Sequence, residues 1–217
     1  MKIDAGSRLL FIGDSVTDCG RARPVGVGSQ GTLGSGYVAE VDAALTRMGL
    51  VPSVEVLNTG IGGNTVRDLA RRWDADVLAH NPDWLTVMIG INDVWRMFDS
   101  RGVGAVIPHE FLRTYDTFLG KAPAALKGLV LMSPFYVQKN RSDPMRTRMD
   151  EYGAIVKDIA SRRGALFVDV QAALDREMET QAYIGLAADR VHPTELGHWV
   201  LARGFLEAVG ATPRPRP

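Results

Sequence analysis

Residues 9–15 read LLFIGDS, and the interpretation of the whole chain starts from this stretch. The four successive apolar residues at 9–12 are typical of a strand that is covered on both faces of a parallel sheet. The strand ends at Gly13, and Asp14 and Ser15 follow where a helix is expected to begin. We therefore predict a buried strand whose carboxyl end presents a serine.

Four further apolar runs resemble the first, and segments with the apolar spacing of helices lie between them. Together with Leu9–Ile12, the predicted strands are Val54–Leu57, Trp84–Ile89, Gly128–Met132 and Ala165–Val168. The predicted helices are Gly36–Met48, Asn64–Ala79, Glu110–Leu126, Met145–Arg162 and Thr194–Val209. This alternation predicts a doubly wound α/β fold, with three layers (α/β/α) around a five-stranded parallel sheet. In such sheets, ligands bind at the carboxyl ends of the strands.

The composition is that of a soluble globular protein, because 46% of the 217 residues are hydrophobic and 23% are charged. We predict a single domain over residues 1–210 and a flexible tail of alternating prolines over residues 211–217. The 25 basic residues balance the 25 acidic residues. The chain therefore lacks the basic excess of a nucleic-acid-binding protein, and its net charge permits self-association.

Cys19 is the single cysteine, so an intrachain disulfide is excluded and a reducing compartment is favoured. The first eight residues lack the apolar core of a signal peptide, and the run 9–12 is too short to span a bilayer. We expect a cytoplasmic protein that does not bind membranes. Cys19 is predicted to be a buried packing residue, and His198 to lie on a helix face without a role.

Ser15 follows the first strand at the amino end of a predicted helix. Backbone N–H groups and the helix dipole favour a developing negative charge there, and Gly13 allows a tight turn before it. This position suits a catalytic nucleophile. The alternative is an ordinary serine N-cap.

Two polar loops follow the second and third strands. Residues 58–65 read NTGIGGNT, and a glycine-rich loop at this point can aim backbone N–H groups into a pocket, as an oxyanion hole requires. A plain turn or a phosphate cradle are the alternatives, although the P-loop and dinucleotide-binding glycine patterns are absent. Residues 90–93 read GIND, in which the Asn92 amide can donate to a developing oxyanion or form an Asx-type turn.

Residues 189–193 read DRVHP and directly precede the last predicted helix. An aspartate three residues before a histidine can accept the Nδ1 proton of His192 and leave Nε2 free to act as a base. A capping Asp189 beside a surface histidine is the alternative. The four loops together supply a nucleophile, a base, an orienting carboxylate and oxyanion donors, which is the full set for acyl transfer. No metal site is predicted, because the histidines form no H-E-x-x-H pattern or Cys/His cluster.

From about residue 8 to residue 205, the chain resembles the SGNH (GDSL-type) serine hydrolases, whose four blocks it contains in the same order. The motifs that carry this resemblance are GDS at 13–15, GNT at 63–65, GIND at 90–93 and DRVHP at 189–193. The resemblance implies a flavodoxin-like SGNH fold without a cofactor. It also implies Ser15 as nucleophile, His192 as base and Asp189 as the partner that orients the base. The oxyanion would be held by the backbone N–H groups of Ser15 and Gly63 and by the side chain of Asn92.

Longer stretches carry a narrower resemblance, to the bacterial intracellular acetylxylan esterases of this class. They are residues 12–24, 63–69, 88–96 and 143–146. This resemblance implies a homo-oligomeric esterase that removes O-acetyl groups from xylo-oligosaccharides or related sugars through an acyl-enzyme intermediate. Asp14, Asp93 and Trp95 are then candidates for lining the substrate pocket.

One departure from these esterases bears on the substrate. They carry a tryptophan just before the Asp-x-x-His turn, where this sequence has Ala187 and Ala188, and the loss of that ring would widen the pocket or remove a platform for a sugar. A broad short-chain esterase, thioesterase or lysophospholipase is therefore the alternative function, and a catalytically silent carbohydrate-binding protein is a third. The segment Arg21–Gly34 is predicted to be either a lid or part of a subunit contact.

Overall fold

A computed structural model of the protein describes residues 1–28, 31–49, 54–99 and 102–211. The strands are β1 (Arg8–Gly13), β2 (Gly26–Val27), β3 (Glu55–Asn58), β4 (Trp84–Met88), β5 (Gly128–Met132) and β6 (Leu166–Val168). The helices are α1 (Ser15–Asp18), α2 (Tyr37–Arg47), α3 (Val66–Asp76), α4 (Ile91–Trp95), α5 (Pro108–Leu119), α6 (Pro144–Arg163), α7 (Val170–Glu177), α8 (Tyr183–Leu186) and α9 (Glu195–Ala208). One turn of 3₁₀-helix, Leu78–His80, follows α3.

The strands form one sheet in the order β2-β3-β1-β4-β5-β6. The strands β3, β1, β4, β5 and β6 are all parallel, and β1 lies between β3 and β4. This is the strand order of flavodoxin-like folds, in which the chain reverses direction across the sheet beside β1. A crevice is expected at such a switch point, outside the carboxyl ends of β1 and its neighbours.

The prediction of five parallel strands is incomplete, because a sixth strand makes the sheet mixed. The edge strand β2 pairs antiparallel with β3, with Gly26 opposite Asn58 and Val27 opposite Leu57. It has only two residues and no apolar run, so the sequence carries no periodicity from which it could be recognised. It belongs to the segment Arg21–Gly34, which therefore contributes at least partly to the sheet.

The two faces of β1 supply two separate hydrophobic cores. Leu9 and Phe11 pack on one face among residues of α2, α7 and α9, and Leu10 and Ile12 pack on the other among residues of α3, α5 and α6. All four side chains are fully buried, since alternate residues of a strand point to opposite faces of the sheet. The predicted three-layer arrangement is therefore observed.

Helix ends differ from the predictions where local capping decides them. Thr65 begins α3 with a capping box in which its side chain and that of Asp68 bond each other's backbone N–H groups. The helix α5 ends at Leu119, before Gly120, and does not continue to residue 126.

The single domain predicted over residues 1–210 stays a prediction, and all of the predicted tail except Ala211 lies outside the described residues.

Candidate active site

Ser15 meets a histidine and an aspartate from a distant turn of the chain above the carboxyl end of β1. The Ser15 Oγ lies 3.1 Å from Nε2 of His192, and Nδ1 of His192 lies 2.7 Å from Oδ2 of Asp189. A neutral imidazole whose Nδ1 proton is donated to the carboxylate presents a lone pair on Nε2 to the serine hydroxyl. The arrangement can therefore take a proton from Ser15.

The turn that carries the histidine is held by Asp189 itself. Its Oδ1 accepts the backbone N–H groups of Val191 at 3.0 Å and His192 at 2.8 Å, which leaves Oδ2 for the imidazole. Burial raises the pKa of Asp189, but the hydrogen bonds from the His192 side chain and from these backbone groups hold it below its usual value. The carboxylate thus stays charged near neutral pH while it orients the ring.

Ser15 is placed by a short helix and by a close approach of two strands. The Asp14 side chain accepts the Val16 N–H at 3.0 Å, which caps α1 at the residue before Ser15. A Cβ on Gly13 would lie 2.4 Å from the backbone oxygen of Met88, its neighbour on β4. Glycine is needed here for this close approach, which leads directly to the predicted nucleophile.

The three predicted oxyanion donors lie in the segments that follow β1, β3 and β4: Ser15 begins α1, Gly63 lies in a loop and Asn92 lies in α4. No acceptor in the described part of the chain takes the backbone N–H of Ser15 or of Gly63. Asn92 Nδ2 donates to the backbone oxygen of Asn64 at 2.9 Å, which uses one of the two N–H groups of its amide. Two backbone donors and one side-chain donor are therefore available for a developing oxyanion.

The glycine loop is held mainly through groups other than the Gly63 N–H. Gly63 has φ +77°, a conformation that residues with a side chain rarely adopt. The N–H of Gly62 donates to Asp18 at 3.0 Å, and Arg96 donates to the backbone oxygen of Gly63 at 2.6 Å. Arg21 donates to the backbone oxygen of Gly60 at 2.7 Å, which also holds the loop.

Of the residues predicted to line the pocket, Trp95 fits best. Its ring centroid lies 5.9 Å from that of His192 in an edge-to-face arrangement, and the residue is partly exposed. The prediction is wrong for Asp93, which is completely buried and accepts the backbone N–H of Val66 at 3.0 Å. Asp14 is almost completely buried as well, and its side chain caps the short helix that begins at Ser15. Burial raises the pKa of both carboxyls to about 7.

Sequence reasoning missed Arg72, which lies beneath the loops. Its guanidinium donates to the backbone oxygens of Gly13 and Thr59 and to the side chain of Asn64, at 2.9, 2.6 and 2.7 Å respectively. It also pairs with Asp76 at 2.6 Å. In sequence it stands beside Arg71 within a charged helix, and nothing in that pattern says which of the two arginines turns inward.

Cys19 and His198 form a second missed contact. Cys19 Sγ lies 3.2 Å from Nε2 of His198, whose Nδ1 accepts the Tyr37 N–H at 3.2 Å. His198 is therefore a buried residue of α9 that connects Cys19 to the backbone of Tyr37. The prediction that it has no role is wrong. Burial, followed by the charges of Asp18 and Asp14, raises the pKa of Cys19 to about 11, so the partly buried thiol is not activated.

His198 leads to a prediction about acid stability. Burial lowers its pKa from 6.5 to about 4, so between these values the unfolded chain binds a proton that the folded chain does not. Stability falls as the pH falls through this window, by about 3 kcal/mol for this residue. We expect His198→Gln to remove that loss, as measured by urea unfolding from pH 4.5 to pH 7.5.

The control for this experiment is His109→Gln, because His109 lies on the surface. The raised pKa values of Asp14 and Asp93 make their contribution to stability change with pH in the opposite direction. Both residues are present in every variant, so this contribution cancels in the comparison. If the difference in the free energy of unfolding between wild type and His198→Gln were the same at every pH, the proposed uptake of a proton by His198 on unfolding would be wrong.

Among the described residues, no group of three or more histidine, cysteine, aspartate and glutamate side chains is arranged to hold a metal ion. None of the helices described combines the length and the apolar character that crossing a bilayer requires.

The chain is similar to known proteins along nearly its whole length. The sequence pattern of the GDSL-like Lipase/Acylhydrolase family matches residues 11–200. The acetylxylan esterase of Geobacillus stearothermophilus is 50% identical over 214 residues, which are 97% of this chain and 97% of that protein.

Solved structures agree with this similarity. The crystal structure of Axe2, an acetylxylan esterase from Geobacillus stearothermophilus, has a TM-score of 0.94 and 49% identity, with 100% of both chains covered. LAE5, an alpha/beta hydrolase enzyme from the metagenome of Lake Arreo, Spain, has a TM-score of 0.94 and 43% identity over 99% of this chain and 100% of its own. Three further Axe2 structures are catalytic mutants in which a serine, a histidine or an aspartate is replaced by alanine.

Proposed function

The chain belongs to the GDSL-like lipase/acylhydrolase family and is an ester hydrolase, and on this basis we propose that it removes O-acetyl groups from xylo-oligosaccharides or closely related sugars. The family resemblance found in the four motifs is thereby confirmed. The observation that carries the substrate proposal is the 50% identity to an acetylxylan esterase over 97% of both chains.

We propose the following acylation step. The Ser15 Oγ attacks the acetyl carbonyl while its proton passes to Nε2 of His192, 3.1 Å away. The carbonyl oxygen becomes an oxyanion that accepts hydrogen bonds from the Ser15 and Gly63 N–H groups and from Asn92. The C–O bond to the sugar then breaks, and the sugar leaves with the proton from His192.

Deacylation repeats these steps with water. His192 takes a proton from a water molecule, which attacks the acetyl-Ser15 carbonyl, and the bond to Ser15 Oγ breaks as the proton returns to it. Acetate is the second product. Asp189 keeps the imidazole in one orientation and stabilises the imidazolium that forms in each half of the reaction.

The substrate is tested by acetate release from acetylated xylo-oligosaccharides, compared with turnover of p-nitrophenyl butyrate and an acyl-CoA. We expect the acetylated sugars to give the highest kcat/KM, with a steep fall beyond short acyl chains. No acetate release from any acetylated sugar, together with ready turnover of butyrate or acyl-CoA, would discard the sugar substrate. The chain would then be a broad esterase or thioesterase of the same class.

Ala188 allows a prediction about binding of the sugar. It is exposed directly before Asp189, where Axe2 carries a tryptophan before its catalytic aspartate. We expect Ala188→Trp to lower KM for acetylated xylotriose by about threefold to tenfold, because an aromatic ring adds a stacking surface for the sugar. KM for p-nitrophenyl acetate, which has no sugar, serves as the control. A KM for the sugar that stays constant or rises would show that this position does not form a platform.

Self-association and compartment stay proposals. Several large apolar side chains are exposed, including Phe98, Val103 and Ile107, and a homo-oligomer would cover such surfaces. Light scattering during gel filtration measures the assembly directly.

We also propose the cytoplasm as the compartment, since Cys19, the single cysteine, is a free thiol and requires no oxidising environment.

A further inference from the structure

The three proposed oxyanion donors come from separate segments of the chain, so something must fix the distances between them. Ser15 follows β1, Gly63 follows β3 and Asn92 follows β4. Donors of this kind work only when they are held in place before the charge develops. Hydrogen bonds inside one loop cannot set its position relative to another loop.

Arg72 contacts the backbone beside two of these donors. Its Nη2 donates to the backbone oxygen of Gly13, two residues before Ser15, and its Nη1 donates to that of Thr59, where the glycine loop leaves β3. The Gly13 oxygen also accepts the Ile61 N–H at 3.1 Å, which joins the same two segments. One planar guanidinium thus fixes the ends of β1 and β3 relative to each other.

The third donor is connected through Asn64. Arg72 Nε donates to Oδ1 of Asn64 at 2.7 Å, and the backbone oxygen of Asn64 accepts Nδ2 of Asn92 at 2.9 Å. Asn64 directly follows Gly63. The side chain of Arg72 is only 13% exposed, and its Nη1 also pairs with Asp76 at 2.6 Å, which further fixes the guanidinium.

We propose that Arg72 is a positioning residue for the reaction, which sets the relative positions of the Ser15, Gly63 and Asn92 donors without touching the substrate. This inference rests on the proposed acyl-transfer site. Lysine cannot replace arginine in this role, because its single nitrogen cannot reach several oxygens in fixed directions as a guanidinium does.

The test compares Arg72→Lys with Arg67→Lys on p-nitrophenyl acetate. Arg67 lies on the same helix and makes two hydrogen bonds to Glu110, away from the glycine loop. We expect Arg72→Lys to lower kcat by about tenfold to a hundredfold with KM almost unchanged, and Arg67→Lys to change kcat by less than about twofold. Equal kcat values for the two variants, or a loss confined to KM, would overturn the proposal.

A double-mutant cycle separates positioning from general structural damage. If Arg72 acts through the oxyanion donors, we expect Arg72→Lys to lower kcat by no more than about threefold in an Asn92→Ala background. The same factor in both backgrounds would mean that Arg72 does not act through Asn92, and the proposal that it sets the positions of all three donors would be wrong.

If Arg72→Lys does not fold, a milder variant tests whether Arg72 positions the donors. Asp76→Asn leaves the guanidinium in place but weakens its pairing, and we expect kcat to fall by about twofold to fivefold. An unchanged kcat would contradict the proposal. Because p-nitrophenyl acetate contains no sugar, the result does not depend on the proposed sugar substrate, and a Ser15→Ala variant tests the site itself.

Discussion

Ser15→Ala is expected to lower kcat for acetylated sugars and for p-nitrophenyl acetate by about 10⁴-fold or more. The hydroxyl lies 3.1 Å from the base, at the amino end of α1 with a free N–H beneath it, so its loss removes the atom that becomes acylated. The remaining groups can still bind the ester and polarise its carbonyl. They are expected to leave a slow reaction with water.

Ser35→Ala is the control for this variant, because Ser35 is exposed and, among the described residues, its hydroxyl hydrogen-bonds only to the backbone oxygen of Cys19, at 3.4 Å. Mass spectrometry after mixing with p-nitrophenyl acetate adds a second readout. Wild type should carry one acetyl group on Ser15, and the variant none. Turnover by Ser15→Ala at the rate of wild type would mean that another residue is the nucleophile.

Asp189→Asn is expected to give the second largest loss, about a thousandfold in kcat near pH 7. The two backbone N–H groups of the turn bind Oδ1, so the asparagine oxygen should keep that position and place its NH₂ against Nδ1 of His192. The imidazole would then carry its proton on Nε2, facing Ser15, and could not accept another. The fold of the turn should survive while the base is lost.

Asp169→Asn is the matched control, since Asp169 also accepts a backbone N–H, from Ala172 at 2.9 Å, but contacts no histidine. We expect kcat of this variant to stay within about twofold of wild type. Thermal unfolding of both variants checks that the substitutions cost similar stability. A normal kcat for Asp189→Asn would show that another group orients His192.

The sequence predicts those parts of the site that lie at strand ends. In a parallel sheet all carboxyl ends meet at one edge, so the polar groups after β1, β3 and β4 had to come together once the strands were recognised. The Asp189–His192 pair was predictable because both residues belong to one short turn. Local patterns and strand order together are sufficient for this much.

Contacts that depend on the direction of one side chain could not be predicted. Arg71 and Arg72 are neighbouring residues of the same type, yet their side chains are 73% and 13% exposed, respectively. A rotation of about 100° per residue separates them on the helix, and only the position of α3 against the loops decides which one turns inward. His198 was more accessible to prediction, since it precedes the buried Leu201, Ala202 and Phe205 at helical spacing.

The distance along the chain between nucleophile and base has a consequence for biosynthesis. The six strands that the structure describes all lie before residue 169, whereas His192 lies 177 residues after Ser15. Because the ribosome makes the amino-terminal part first, the sheet can begin to assemble on a nascent chain that still lacks its base. Such an intermediate would hold Ser15 without the means to deprotonate it. Hydrolysis would then begin only after the last turn and α9 have been translated and docked, and enzymatic activity would report the completion of folding.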